Sequence, residues 1–319
     1  MARFLVRRIA FAVVVIWAAV TIVFILYFVA PHDPARLIAG RQATAQTLAD
    51  VRHRLGLDQP ILHQYVSFLG RLVHGNLGYS YVNSEPVTTI IGQDLPVSAS
   101  LGLGAAGIWL LIGVGSGVLG AVRPRSLADR ATTGFALFFY SMPTFLLGEL
   151  FLLVLFFRLH LLGIDFFPGS GYVGITQDPY QWLVHLILPW LTLALVLSAT
   201  YTRLTRASML DVMGEDYIRT ARAKGIGERR VILRHGLRAA LAPVVTQLGV
   251  DIGQLVGGVI VTETVFGLPG LGQQVINSIT RQDLPVIIGL VVLASAFVVT
   301  ASVVVDLFYA VLDPRVRLS

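Results

Sequence analysis

Residues 9–30, IAFAVVVIWAAVTIVFILYFVA, form 22 consecutive positions without a charged side chain. At a helical rise of about 1.5 Å per residue that run is roughly 33 Å long, enough to cross the hydrocarbon core of a bilayer. It exceeds the apolar core of a signal peptide, about 7 to 15 residues, and reads as an uncleaved anchor. Comparable runs lie at 96–122, 132–157, 182–201, 239–262 and 285–312. In lipid every backbone N–H and C=O needs an internal partner, so runs of this length become helices. The expected fold class is an all-α integral membrane protein with six transmembrane helices. A composition of 55% hydrophobic and only 13% charged residues over 319 positions agrees, because one soluble core could not hide that much apolar surface.

The charges that remain orient the spans. Arg3, Arg7 and Arg8 precede the first run, Arg123, Arg125 and Arg130 separate the second from the third, and nine Lys or Arg residues lie between the fourth and fifth. The flanks after the third and fifth runs hold only Arg158 and Arg281. Basic residues mark the cytoplasmic side, so both termini are expected inside. The sequence pI of about 9.9 therefore needs no nucleic-acid partner. Residues 31–95 break the rule with five arginines, but they also hold Asp33, Asp50, Asp58, Glu85 and Asp94, and read as a small external insert. Apolar residues at helical spacing, from Leu48 to Leu55 and from Ile61 to Leu72, predict two short helices there and a turn-rich tail. The division is thus 1–30 for the N-terminus and first span, 31–95 for the insert and 96–319 for the remaining spans.

Several features inside the spans bear on packing or passage. Gly113 and Gly117 form a G-x-x-x-G pair, which serves either packing within the chain or contact with a second membrane subunit. Pro143 and Pro189 should kink their helices. Glu149, His185, Asp251 and Asp306 are ionisable residues in apolar runs, where each needs a partner, a cavity or an interface. Asp251 shares a helix face with Gln247 and Gln254, which suits a solute pathway or an internal hydrogen-bond network. His53, His63 and His74 are spaced too widely for one helix face and predict no metal site. After the fifth run, ETVFGLPGLG cannot continue as a regular helix and should dip back or cover a pore mouth. Zero cysteines exclude disulfides and thiolate chemistry.

The stretch YIRTARAKGIGERRVILRHGL, residues 217–237, is the densest charge cluster. Acidic Glu215 and Asp216 favour a helix start, a short helix runs to Lys224, Gly225 and Gly227 interrupt it, and a second helix begins near Glu228. Attraction to anionic headgroups would explain the charge alone, at about 1 kcal/mol per basic residue, but not the paired glycines.

Residues 215–249 resemble the cytoplasmic EAA loop of ABC-transporter permeases, in the form found in dipeptide and oligopeptide importers. LVRRIA, PHDPA, LGLDQPILHQY, GNLGYS, SMPTFLLG, ETVFGLPGLG and DPR agree in order, so the resemblance covers nearly the whole chain. Arg219, Thr220 and Ala221 stand where the general pattern has Glu-Ala-Ala, and Arg238 stands where it has proline, as in the peptide-importer variant. His32 and Asn76 depart from the commoner Gly and Asp. The resemblance implies the type I ABC importer permease fold in a bacterial inner membrane, with the loop at about 203–238 forming a coupling helix. Glu215, Asp216, Tyr217, Arg219, Thr220, Ala221, Arg222, Ala223, Lys224, Gly225 and Ile226 would then meet a cytoplasmic ATPase, with Arg219, Arg222 and Lys224 pairing with its acidic groups. Gln247, Asp251, Gln254, Glu263, Phe266, Pro269 and Gly270 would belong to the pathway or gate. Implied partners are a homologous second permease, two ATPase subunits or one fused pair, an external binding protein, membrane lipid and a short peptide as cargo. Nickel, glutathione or another small solute is the alternative cargo.

ATP and Mg would sit in the ATPase subunits, and the sequence agrees. Its only lysine, Lys224, is followed by Gly225, so no G-x-x-x-x-G-K-[ST] loop exists. Neither H-E-x-x-H nor G-x-S-x-G occurs, and the chain is expected to be non-catalytic, with no catalytic residue and no cofactor of its own. An ion-coupled secondary transporter is the alternative of a different class. It would often carry paired repeats, and no second copy of a half is evident.

Overall fold

The computed structural model describes residues 2–29, 44–55, 58–80 and 82–312. The PHDPA and DPR motifs, with His32, lie outside them, as do the side chains of Gln254 and Asp306. The elements are α1 (Ala2–Val29), α2 (Ala45–Leu55), α3 (Ile61–Val73), a hairpin of β1 (Tyr79–Ser80) and β2 (Glu85–Pro86), α4 (Val87–Val122), α5 (Leu127–Tyr140), α6 (Thr144–Leu161), α7 (Pro179–Met213), α8 (Asp216–Ala223), α9 (Glu228–Arg230), α10 (Leu237–Val265), α11 (Leu271–Thr280) and α12 (Leu284–Leu312). Among the described residues, α4, α6, α7 and α12 each contain a stretch long and apolar enough to cross a membrane.

Two details differ from the expectation. The run 132–157 is not one kinked helix: α5 ends at Tyr140 and α6 restarts at Thr144, with Ser141–Pro143 between them. Pro143 sits at the N-cap of α6, where its missing N–H costs nothing. Pro189 remains inside α7 and Pro96 inside α4, so each of those helices carries its proline without ending. The second span also begins earlier than 96, at Val87, because the hairpin leads straight into the helix.

The chain divides into two compact units. One comprises residues 2–95 and 273–297. There Phe24 of α1 meets Tyr65 edge-on at 5.1 Å and stacks on Phe68 at 5.5 Å, while the Thr21 and Tyr65 hydroxyls share a 2.6 Å hydrogen bond. None of the residues of α3 is itself buried, so α3 has no core of its own and rests on α1. The hairpin is held by a bond from the Ser80 hydroxyl to the Asp283 carboxylate, both buried.

The other unit comprises residues 96–272 and the chain from Val298. Its core joins Leu101, Ala105 and Trp109 of α4 to Leu186, Leu193 and Tyr201 of α7 and to Val244 and Val259 of α10. Gly113 and Gly117 face α7: a Cβ at Gly113 would lie 2.4 Å from Tyr201 Cβ, and one at Gly117 would lie 2.6 Å from Thr205 Cβ and 2.8 Å from the Thr202 carbonyl. The small-residue pair therefore serves packing within the chain. Close approach lets the Ser116 and Thr202 hydroxyls bond at 2.7 Å, an interhelical contact worth about 0.6 kcal/mol in lipid.

Candidate functional site

The loop after α7 is a folded corner. Helix α8 carries Ile218 and Ala221 three residues apart, and both are buried against Val231, with Met213 and Ile226 packed alongside. This small core is what the charge pattern concealed, and the i, i+3 apolar pair in an otherwise polar helix is the signal that reveals it. At the C-terminus of α8 the chain reverses at Gly225, whose φ is +74°. The Gly225 N–H donates to the Arg222 carbonyl at 2.9 Å and the Ile226 N–H to the Ala221 carbonyl at 3.3 Å. That is a Schellman cap, and Ile226 supplies its usual apolar contact. No atom lies within 4 Å of a Cβ built at Gly225, so backbone conformation alone requires glycine there.

The polar side chains of the corner are partly committed within the chain. Arg222 grips Glu228 across the reversal with two bonds, Nη2 to Oε1 at 2.7 Å and Nε to Oε2 at 3.1 Å. The Arg222 hydrogen bond holds the Glu228 carboxyl below its ordinary value. Arg219 lies 3.3 Å from Asp216 on the same helix. Lys224 makes no ion pair among the described residues. Of the expected coupling residues, Glu215, Asp216, Tyr217, Arg219, Thr220, Arg222, Ala223, Lys224 and Gly225 are exposed, while Ala221 is buried and Ile226 half-buried. Tyr217 is 46% exposed despite its aromatic ring. Desolvation, reinforced by the Glu215 charge, raises its phenol above the usual value.

The intramembrane polar residues form two clusters. The Asp251 carboxylate accepts from Gln247 Nε2 at 2.9 Å and from the Tyr201 hydroxyl of α7 at 2.7 Å. Gln247 and Asp251 thus share a face as their spacing requires, and Tyr201, 50 positions away, is a partner no local pattern could show. Further along α10, Glu263 is fully buried and accepts from the Ser98 hydroxyl at 2.5 Å. Ser98 Oγ in turn accepts from the Leu271 N–H at 2.8 Å, which ties the start of α11 to α4. The backbone closes over the carboxylate: a Cβ at Gly270 would lie 2.3 Å from Glu263 Oε1. Phe266 and Gly270 are buried and Pro269 is exposed. The ETVFGLPGLG segment is accordingly a packed turn around a carboxylate. Glu149, by contrast, is exposed on α6.

On the basic side, the neighbouring α5–α7 contact is fastened by Asp129. It caps its own turn from the Arg125 N–H at 2.8 Å and binds Arg206 through Nε at 2.5 Å and Nη2 at 2.9 Å. The Arg206 guanidinium lowers the Asp129 pKa to about 2. Among the described residues no three His, Asp or Glu side chains gather as metal ligands. His53 pairs with Asp58 at 2.8 Å, and His74 bonds the Gly70 carbonyl at 2.7 Å.

Comparison with known proteins places this architecture. The family described as "Binding-protein-dependent transport system inner membrane component" matches residues 110–318, and its N-terminal companion matches residues 1–102. The chain belongs to this family. The permease is 37% identical over 317 residues to "Probable peptide ABC transporter permease protein y4tP" of Sinorhizobium fredii, covering 99% of this chain and 100% of that one. It is 39% identical over 318 residues to the glutathione transport system permease protein GsiC of an Escherichia coli O6:H1 strain, covering 99% of each. Among solved structures it is similar to a chain of the MetNI methionine ABC transporter in inward-facing conformations, with a TM-score of 0.55 and 19% identity, covering 72% of this chain and 99% of that one. That likeness establishes the fold alone, the type I fold expected from the sequence. The protein is a multi-pass inner-membrane subunit of an ABC importer.

Proposed function

We propose that the permease forms half of a translocation pathway for short peptides and that the α8 corner receives the stroke of a cytoplasmic ATPase. The observation that carries this reading is the construction of the corner. Its inner face is a sealed apolar core, its reversal is capped, and its outer face presents Tyr217, Arg219, Thr220 and Lys224 without burying them. A surface of that kind transmits displacement, since the core around Ile218 couples α8 rigidly to Met213 at the end of α7 and to Val231 at the start of the helix leading into α10. An ATPase cleft that closes on ATP and moves α8 would tilt both spans together. ATP and Mg belong to that partner, a homologous second permease would complete the pathway, and an external binding protein would deliver cargo to the segment between α1 and α4. Both termini would lie inside.

Arg222 has a different role from Arg219 and Lys224. Its guanidinium is committed to Glu228, so it braces the corner, while Lys224 is the cation available to an acidic partner. The Asp251 cluster and the Glu263 turn are proposed to position the pathway and its gate. Asp251, half-buried, is the residue able to face solute; Glu263 and Phe266 set the shape of the turn from inside. Peptide cargo is supported by the Sinorhizobium fredii relative's name, and glutathione, itself a tripeptide, is the second reading supported by the Escherichia coli one.

The chain's lack of cysteine makes the test direct. A Thr220→Cys permease, reconstituted with its ATPase carrying a single cysteine at the cleft, should crosslink in a nucleotide-dependent way and lose ATP-driven uptake of a dipeptide once crosslinked. Normal uptake with no crosslink from Thr220→Cys or Tyr217→Cys would remove the coupling assignment. Competition between dipeptide and glutathione for uptake separates the two cargo readings.

A further inference from the structure

A cleft of about 560 Å3 opens between α5 and α7, away from the Asp251 and Glu263 clusters. Arg203 and Arg206 reach it from α7, three residues apart on one helix face, with Thr200 one turn before Arg203. Thr133 and Tyr140 line it from α5, and Leu137 is an apolar part of its wall. The Arg203 guanidinium lies 5.3 Å above the Tyr140 ring, a cation–π contact that fixes the group and leaves its N–H edge for another acceptor. Arg203 makes no ion pair among the described residues. Arg206 spends its Nε and one Nη2 hydrogen on Asp129 and retains Nη1. The cleft therefore offers one uncompensated positive charge, further guanidinium hydrogens and two threonine hydroxyls at one place.

Its depth decides what such a site can meet. The uncharged part of α7 ends at Thr202, and Arg203 and Arg206 are the first charges after it, before the helix ends at Met213. They sit at the boundary between hydrocarbon and headgroups, on the side of the basic loop. The α5 surface beside the cleft is apolar and outward: Leu137, Phe138 and Tyr140 are each more than half exposed. A ligand with a phosphate at headgroup depth and hydrocarbon above it satisfies both parts, and basic pockets between spans on this side take anionic headgroups.

We infer that the α5–α7 cleft binds the phosphodiester of an anionic phospholipid from the leaflet nearest the basic loop, with Arg203 as the principal contact. The planar guanidinium suits a phosphate held by two parallel hydrogen bonds, and Tyr140 keeps it aimed. A lipid there would bridge the Asp129–Arg206 fastening and the end of α7, and so would stiffen the helix that enters the coupling corner.

Native mass spectrometry of the full-length permease, expressed with its transport partners and extracted in mild detergent, tests this with dioleoylphosphatidylglycerol against dioleoylphosphatidylcholine as added probes. One phosphatidylglycerol adduct per permease is expected. Arg203→Gln should weaken it about five- to tenfold, the loss of one basic contact near the headgroup, whereas Arg229→Gln, which removes the same charge from the exposed corner, should leave it unchanged. Leu137→Trp keeps the charge and fills the cleft, and should also abolish the adduct; it decides the matter if Arg203→Gln fails to accumulate. Equal retention of phosphatidylcholine, an adduct insensitive to both cleft variants, displacement by excess inorganic phosphate, or absence of the adduct from the assembled complex would each overturn the assignment.

Discussion

The left-handed backbone at Gly225 allows the α8 corner to be weakened without touching any contact. A Cβ placed there meets no atom within 4 Å, so for alanine steric clash contributes nothing and only the conformational cost at φ +74° remains. For alanine that cost is about 1–2 kcal/mol, and for a β-branched residue it is larger. Asparagine tolerates the left-handed region and should cost less than alanine. A penalty of 1–2 kcal/mol corresponds to a roughly 5–30-fold fall in the ratio of closed to open corner. Arg222 and Lys224 lie just before the reversal, so trypsin reads the open fraction directly: the initial cleavage rate at this loop should rise in the order Gly225, Asn, Ala, Val. Melting of the spans should stay in place, because the change is local. ATP-driven uptake by the reconstituted transporter should fall in the same order. If Gly225→Val is cleaved no faster than the parent and transports as well, the corner does not depend on its Schellman cap and the argument from it fails.

Other expectations follow from single sites. Gly117→Ala should force α4 from α7 and lower stability by about 1–3 kcal/mol, read as a fall in detergent-solubilised melting temperature. Gly115→Ala, which has open space, is the control. Glu263→Leu should cost about 1–3 kcal/mol by leaving the half-buried Ser98 O–H without its acceptor, whereas Ser98→Ala with Glu263→Leu together should cost less than the sum of the two. Asp129 is depressed by Arg206 to about 2, so its contribution is present above the ordinary carboxylate value and is lost as pH falls through about 2. The stability difference between the parent and Asp129→Asn should therefore be flat from pH 8 to about pH 5 and shrink only in stronger acid. Exchanging the partners as Arg222→Glu with Glu228→Arg should restore uptake lost in Arg222→Glu alone, if the pair braces the corner; a partner that reads Arg222 directly would not be restored by the swap.

The long apolar runs and the bias of basic residues were sufficient for the class, since bilayer thickness and backbone hydrogen bonding leave a helix as the one solution for 22 uncharged residues. The acidic start, short helix and glycine reversal of residues 215–228 were equally legible, being local, and they stand in the structure within a residue of where the pattern put them. What local pattern could not reach was every decision made across the fold. Gly113 and Gly117 carry the same spacing whether they meet a sister helix or another subunit, and the approach of α7 settles it. Nothing near position 251 points to Tyr201, nothing near 263 points to Ser98, and nothing near 129 points to Arg206. These partners lie 50 to 165 positions apart, and periodicity reports only which face of a helix is apolar. Which neighbour covers that face, and so whether a carboxylate becomes a brace or an exposed group, is set when the helices pack.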